Sequence, residues 1–156
     1  MEREVGREEL EAATQKGLKL IYAAERDAAR KVLAELNLRV PNSPGALGGV
    51  CALLSLERVN ILAMALESTG QLRLVVDNHV HGAAILREYH HQVTERDVIL
   101  VTVSDSPGAL APVLRLIGDA GVNIEYSYGG GSEAGPTATL VIGVDDAVRA
   151  SAAAGV

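Results

Sequence analysis

A chain of 156 residues has room for one ordinary domain or two very small ones, and 48% of this one is apolar. Its 20 acidic and 14 basic side chains leave a formal charge of −6, and Trp and Phe are absent, which argues against a general nucleic-acid binder needing a basic face and stacking platforms. A single cysteine, Cys51, excludes an intramolecular disulfide and a cysteine-built zinc cage.

In chain order, the acidic start MEREVGREEL has no apolar signal core, and no later run is long enough to span a bilayer. The expectation is a cytoplasmic protein. Across the head, residues 1–36, Leu10, Ala13, Leu18, Ile21, Ala24, Ala28, Val32 and Leu36 recur at helical spacing, which predicts a mainly helical extension. Within it KGLKLIY, residues 16–22, also reads as an apolar strand.

A short strand is expected over residues 37–40, followed by NSPGAL at 42–47. Pro44 and Gly45 predict a turn, with Ser43 capping a helix whose first position is proline. Leu47, Val50, Leu53 and Leu54 share one face of that helix, while Gly48 and Gly49 sit poorly at its start. Strands over 60–66 and 71–76 come next. A second helix opens at Asp77-Asn78, whose side chains suit a helix N-terminus, and residues 92–95 are a further strand candidate.

The same plan is then written again. At an offset of 63 residues Val40 falls on Val103, Ser43-Pro44-Gly45-Ala46-Leu47 on Ser106-Pro107-Gly108-Ala109-Leu110, and Val59-Asn60-Ile61 on Val122-Asn123-Ile124. The turn-rich insertion GGGSEAGP, 129–136, stretches the offset to 68, where Asp77 meets Asp145 and Val80 meets Val148. This is an internal duplication. It predicts a strand over 98–104, a helix with Leu110, Val113, Leu114, Leu116 and Ile117 on its buried face, strands over 123–128 and 137–144, and a last helix from Asp145-Asp146. Gly121 reads as a left-handed helix stop, a place that Arg58 fills less comfortably in the first copy.

Strand–helix–strand–strand–helix–strand order gives an α+β fold, two ferredoxin-like modules with antiparallel sheets and both helices on one face. The expected division is a head over 1–36, a first module over 37–96 and a second over 97–156 without its last strand. Residues 16–22 or a neighbouring molecule could supply that strand, since a bare sheet edge is a pairing site.

VSDSPGALAPVLRLIGDAGVNIEYSY, at 103–128, resembles the opening of an ACT domain, the small regulatory module of many enzymes of amino-acid metabolism. The first copy matches at NSPGAL and VNI, and the whole is similar to stand-alone tandem ACT proteins. The resemblance implies a non-enzymatic regulator that binds an amino acid where modules pair, a homodimer, and a regulated metabolic enzyme as partner; with the charge and the short apolar runs, the expectation is no nucleic acid, no membrane and no cofactor. Carried over by position, Asn42, Ser43, Pro44, Gly45, Ala46 and Leu47 form one ligand loop. Asp105, Ser106, Pro107, Gly108, Ala109 and Leu110 form the other. Asn60-Ile61 and Asn123-Ile124 approach each from the opposite module. Glycine lets backbone amides come close to a ligand, and a helix N-terminus suits a carboxylate. Asp105 could accept an ammonium where neutral Asn42 could not. The plainer reading is a capped turn with local asparagine bonds.

His79, His81, His90 and His91 are the histidines, and imidazoles two apart can share a first-row ion, so a metal sensor stands as an alternative. Solvated surface histidines are the plainer reading. Cys51 aligns with Leu114 and reads as a small core residue without a histidine to activate it. GGGSEAG lacks the lysine of a phosphate loop and reads as a hairpin connection. Tyr126 and Tyr128 share one sheet face by their period of two, and pack either a helix or an interface. An assembly module that only joins subunits is the remaining alternative.

Overall fold

The computed structural model of the protein describes residues 31–153. Its elements are β1 (Lys31–Arg39), α1 (Ala46–Leu56), β2 (Ile61–Leu66), β3 (Gln71–Val76), α2 (His79–Glu88), β4 (Thr94–Ser104), α3 (Ala111–Asp119), β5 (Ile124–Gly131), β6 (Thr137–Val144) and α4 (Ala147–Ala153). The order βαββα thus occurs twice, and all pairings are antiparallel. Among the described residues no helix is long and apolar enough to cross a membrane.

The two copies do not form separate sheets. One six-stranded sheet runs β2-β3-β1-β4-β6-β5. β4 joins the two strands expected at 92–95 and 98–104 into one: its residues 94–100 pair with β1 and its residues 99–104 with β6. β1 in turn pairs with β3 through residues 35–39. The neighbour that β4 needs on its open side is therefore β1 itself.

That pairing corrects the reading of the head. Residues 31–36, expected to be helical, are strand, because β3 and β4 offer ladder partners on both sides of β1. Val32 and Leu36 fit a helical spacing and a strand face equally, and tertiary pairing decides. The helix expected over residues 1–30, and the strand alternative at 16–22, lie outside the described residues.

Alternation along the strands sorts the two faces. Leu36, Leu38, Leu72, Leu74 and Val76 meet Val50 and Leu54 of α1 and Ile85 and Leu86 of α2. Ile99, Val101, Val103, Ile142 and Val144 meet Val113 and Ile117 of α3 and Ala147 and Ala150 of α4. The registers put both sets on one face, as the sequence predicts. Leu116 departs from the expected buried face and is exposed, and Leu114 is only half-buried.

Among the described residues no helix packs on the other face, yet Val75, Val98 and Val141 on it are fully buried. The sheet curls until Cα atoms of β2 and β5, its two edges, come within 8 Å of one another. Leu33, Ala63, Leu100, Tyr126 and Tyr128 fill the resulting concavity. Strong twist of this kind turns an open sheet into most of a barrel.

Candidate functional site

Both Pro-Gly turns are the same structure. Ala46 N–H donates to Ser43 O and Ala109 N–H to Ser106 O, each at 3.3 Å. Gly45 has φ 83 and ψ −9, and Gly108 has φ 82. Proline followed by a left-handed glycine defines a type II turn. The turns are solvent-exposed, and a Cβ built on either glycine meets nothing within 4 Å.

The expected serine caps are not formed. α1 begins at Ala46 with Gly45 as its N-cap and no side-chain cap, and α3 begins only at Ala111, with Pro112 in its first turn. Pro44 and Pro107 belong to the turns, whose carbonyl-to-amide bonds occupy the serine backbone. Ser106 Oγ instead lies 3.1 Å from Ser104 Oγ. In α3 the later start places Pro112 in the first turn, where proline is tolerated, whereas Gly48 and Gly49 remain inside α1, facing open space.

Asp105 leans over the β5–β6 hairpin: a Cβ on Gly131 would stand 2.2 Å from its Oδ2. Its N–H donates to Pro136 O at 2.9 Å. Asn42 is exposed and makes no comparable approach. Ala46, Leu47, Ala109 and Leu110 are half-buried at the foot of each turn.

Asn60 and Asn123 are fixed identically. Asp77 Oδ1 accepts from Asn60 N at 3.0 Å and Asp145 Oδ1 from Asn123 N at 3.1 Å, while each aspartate N–H returns a bond to the asparagine carbonyl. The true helix caps are the next residues, Asn78 accepting from His81 N and Asp146 from Arg149 N. Ile61 and Ile124 pack against the helix-side core of their own copies.

Because β1 and β4 are antiparallel neighbours, the two turns lie at opposite ends of the sheet. The turn at 42–47 shares its end with Asn123-Ile124, and the turn at 105–110 shares the other with Asn60-Ile61. Three strand spacings, about 14 Å measured along the curled sheet, separate each set. The chain brings each turn to the same end as the opposite copy's asparagine without bringing them into contact. Asn60 and Ile61 line a shallow cavity of about 360 Å³ with Cys51, Ser55, Arg58 and Val59. Cys51, expected in the core, is only half-buried there.

The concave face holds a polar cluster that the sequence reading missed. Glu35 is fully buried; its Oε1 accepts from Tyr126 Oη at 2.5 Å and Asn37 Nδ2 at 3.0 Å, and its Oε2 from Tyr128 Oη at 2.7 Å. The two tyrosine rings stack 6.3 Å apart. Arg73 lies 4.1 Å and Arg96 5.1 Å from the Tyr126 ring centroid, both within cation–π reach. Arg73 also pairs with Glu67, and Arg96 with Glu125. Burial and then the bond to Glu35 push the Tyr126 hydroxyl up to about 12, and the same causes raise Tyr128. The two tyrosines at a period of two were the sequence signal. Their acceptor, 91 and 93 residues away, had none.

Two of the histidines pair with separate carboxylates, His79 Nδ1 at 3.1 Å from Glu95 and His81 Nε2 at 3.6 Å from Glu57. Among the described residues no group of three or more His, Cys, Asp or Glu is placed to hold a metal ion.

Residues 98–154 match the family model of the ACT domain. No curated protein matches the chain. Among solved structures, a protein of Bacteroides thetaiotaomicron is 28% identical at a TM-score of 0.71, with 78% of this chain and 85% of that one covered. The regulatory subunit of aspartate kinase from Thermus flavus is 18% identical at a TM-score of 0.57, covering 80% and 92%. The same subunit from Thermus thermophilus, in its ligand-free form, is 18% identical at 0.58 over the same shares. At 18% identity the likeness is one of fold.

Proposed function

We propose that this chain is a non-enzymatic cytoplasmic regulator that senses an amino acid between ACT-like modules, residues 37–96 and 97–156, which share β1 and β4. The observation that carries the reading is the type II turn built twice, open to solvent, at the entry of the first helix of each copy. Exposed amides beside a left-handed glycine suit a carboxylate, and the Asp105 carboxylate suits the ammonium of the same ligand. Asn42 lacks that charge, so the sites at 42–47 and 105–110 are unequal. A second chain supplies the closure that one chain leaves three strands apart, which makes the sensor a homodimer. Ligand then favours one arrangement of modules, and a metabolic enzyme reads it by linkage.

Thermal unfolding of the chain with each of the twenty amino acids tests this. A ligand at a hundred times its dissociation constant adds about 2.7 kcal/mol of stability by mass action. One or a few amino acids are expected to raise the midpoint, and Asp105→Ala to abolish the response while the dimer persists. A flat panel overturns sensing.

One observation favours the assembly alternative. On edge strand β2, Leu62, Met64 and Leu66 are 48%, 38% and 45% exposed, where the aligned positions of β5 are Glu125, Ser127 and Gly129. The fold does not require an apolar edge there, and an unpaired apolar edge is a pairing surface. A dimer lost in Met64→Lys with a flat amino-acid panel would establish that reading instead.

A further inference from the structure

A second cavity lies at the end of the sheet where β1 finishes, the end it shares with the turn at 42–47 but lined by none of that turn's residues. It holds about 460 Å³ and is lined by Asn37, Arg39, Gln71, His91, Gln92 and Thr94, with Leu38 beneath and His90 at the rim. We propose that it binds a small oxyanion, the phosphate or carboxylate group of a small molecule, and passes its occupancy along a hydrogen-bonded chain to the tyrosines of β5.

The lining supports an anion by what it contains and what it omits. In a chain with 20 acidic residues, no Asp or Glu among the described residues lines this cavity. Its side chains offer donors: a guanidinium, three primary amides, a hydroxyl and the imidazoles. The guanidinium is held in place, because Arg39 Nη1 donates to Thr69 O at 3.2 Å, and its remaining N–H groups are left for a ligand. The C-terminus of α2 points this way and would repel an anion if its carbonyls were bare. Three of its last four are not: Ile85, Leu86 and Arg87 carbonyls accept from the N–H groups of Tyr89, His91 and His90. That closure needs His90 at φ 70, a conformation L-residues rarely adopt, and it sets both histidines at the rim.

Behind the cavity the chain of contacts is continuous. Gln71 Nε2 donates to Asn37 Oδ1 at 3.2 Å, Asn37 Nδ2 to Glu35 Oε1 at 3.0 Å, and Tyr126 and Tyr128 donate to the two Glu35 oxygens. An anion that takes the free N–H of Gln71 pulls on an amide already aligned with Asn37, so the first copy's cavity reports to the second copy's edge strand. Nothing in this requires the turns at 42–47 and 105–110 to bind anything.

The test is a magnetic-resonance titration of the full chain, isotopically labelled, with inorganic phosphate and separately with acetate, at constant ionic strength. Saturable shifts of the amides of residues 90–94 and of the Gln71 side chain are expected. Arg39→Ala should weaken them about tenfold, the loss of one charge-assisted contact, and Gln92→Ala should weaken them too. Saturation by phosphate alone identifies a phosphate site, and saturation by acetate as well a carboxylate site. Linear drift in both series, or unchanged affinity in both variants, overturns the site. Tyr128 ring resonances should move on saturation, and stay still in Asn37→Leu while the amides still shift. Tyrosines that ignore a bound anion in the unaltered chain overturn the relay.

Discussion

Glu35 shows what a single acidic residue demands once the sheet closes over it. A carboxylate removed from water needs its lone pairs filled, and three donors from β1 and β5 fill them. The tyrosines hold their protons tightly as a result, and a sign follows for stability. An unfolded tyrosine releases its proton near pH 10, whereas Tyr126 holds its proton to about 12. Below 10 both states are protonated and the stabilisation is complete. Between 10 and 12 the unfolded chain binds fewer protons, so stability falls as pH rises. Denaturation series across that range should show this slope, and a Tyr126→Phe/Tyr128→Phe double variant should flatten it. Phenolate absorbance from both residues at ordinary pH, with the fold intact, would contradict the cluster. At this scale local chemistry was readable and distant chemistry was not. Pro44-Gly45 and Pro107-Gly108 declare their turn from their own stereochemistry. Glu35, surrounded by helix-forming neighbours, gives no sign that its partners lie on the far edge strand.

Each helix α1 and α3 ends the same way, and the duplication supplies a control that most folds lack. Val59 N–H reaches back to Leu54 O and Val122 N–H to Ile117 O, a closure that needs a left-handed residue just before. Gly121 provides it at φ 72, and Arg58 is forced to φ 57. A Cβ on Gly121 would meet only Arg149, at 3.8 Å, so backbone strain is the sole difference between the sites. Arg58→Gly should raise stability by about 1 kcal/mol and Gly121→Ala should lower it by as much. Urea midpoints with unchanged slopes would measure both. Equal signs for the two changes would mean that the side chains, and not φ, decide. Elements with their own punctuation were legible, as β3 and β6 are, with Gly70 and Pro136 before them and Asp77 and Asp145 after. The serine caps failed because the type II turn holds Gly45 and Gly108 left-handed, so neither can be helical two places after its serine and each helix starts later. β1 was legible only at its end, 37–39, because the apolar spacing over 31–36 serves two periods.

A sheet in which β1 and β4 each serve both copies leaves neither copy whole on its own. β4 carries the end of one repeat and the start of the next, and β1 pairs with it over residues 31–37. On the concave face Val75, Val98 and Val141 come from β3, β4 and β6, so one small core spans the join. Glu35 and the two tyrosines clamp it from opposite copies. Two domains linked by a tether unfold in two steps when their interface is weak; here the interface is the middle of the sheet. A single calorimetric transition is therefore expected, with van't Hoff and calorimetric enthalpies in agreement. Amide exchange should be slowest in β1 and β4 together, since opening either one breaks both copies. Glu35→Ala should lower the one midpoint without splitting the transition, because it loosens the clasp and leaves the shared strands paired. Two resolved transitions in the unaltered chain would mean that the copies fold as separate modules, and that the continuous sheet carries no energy across its centre.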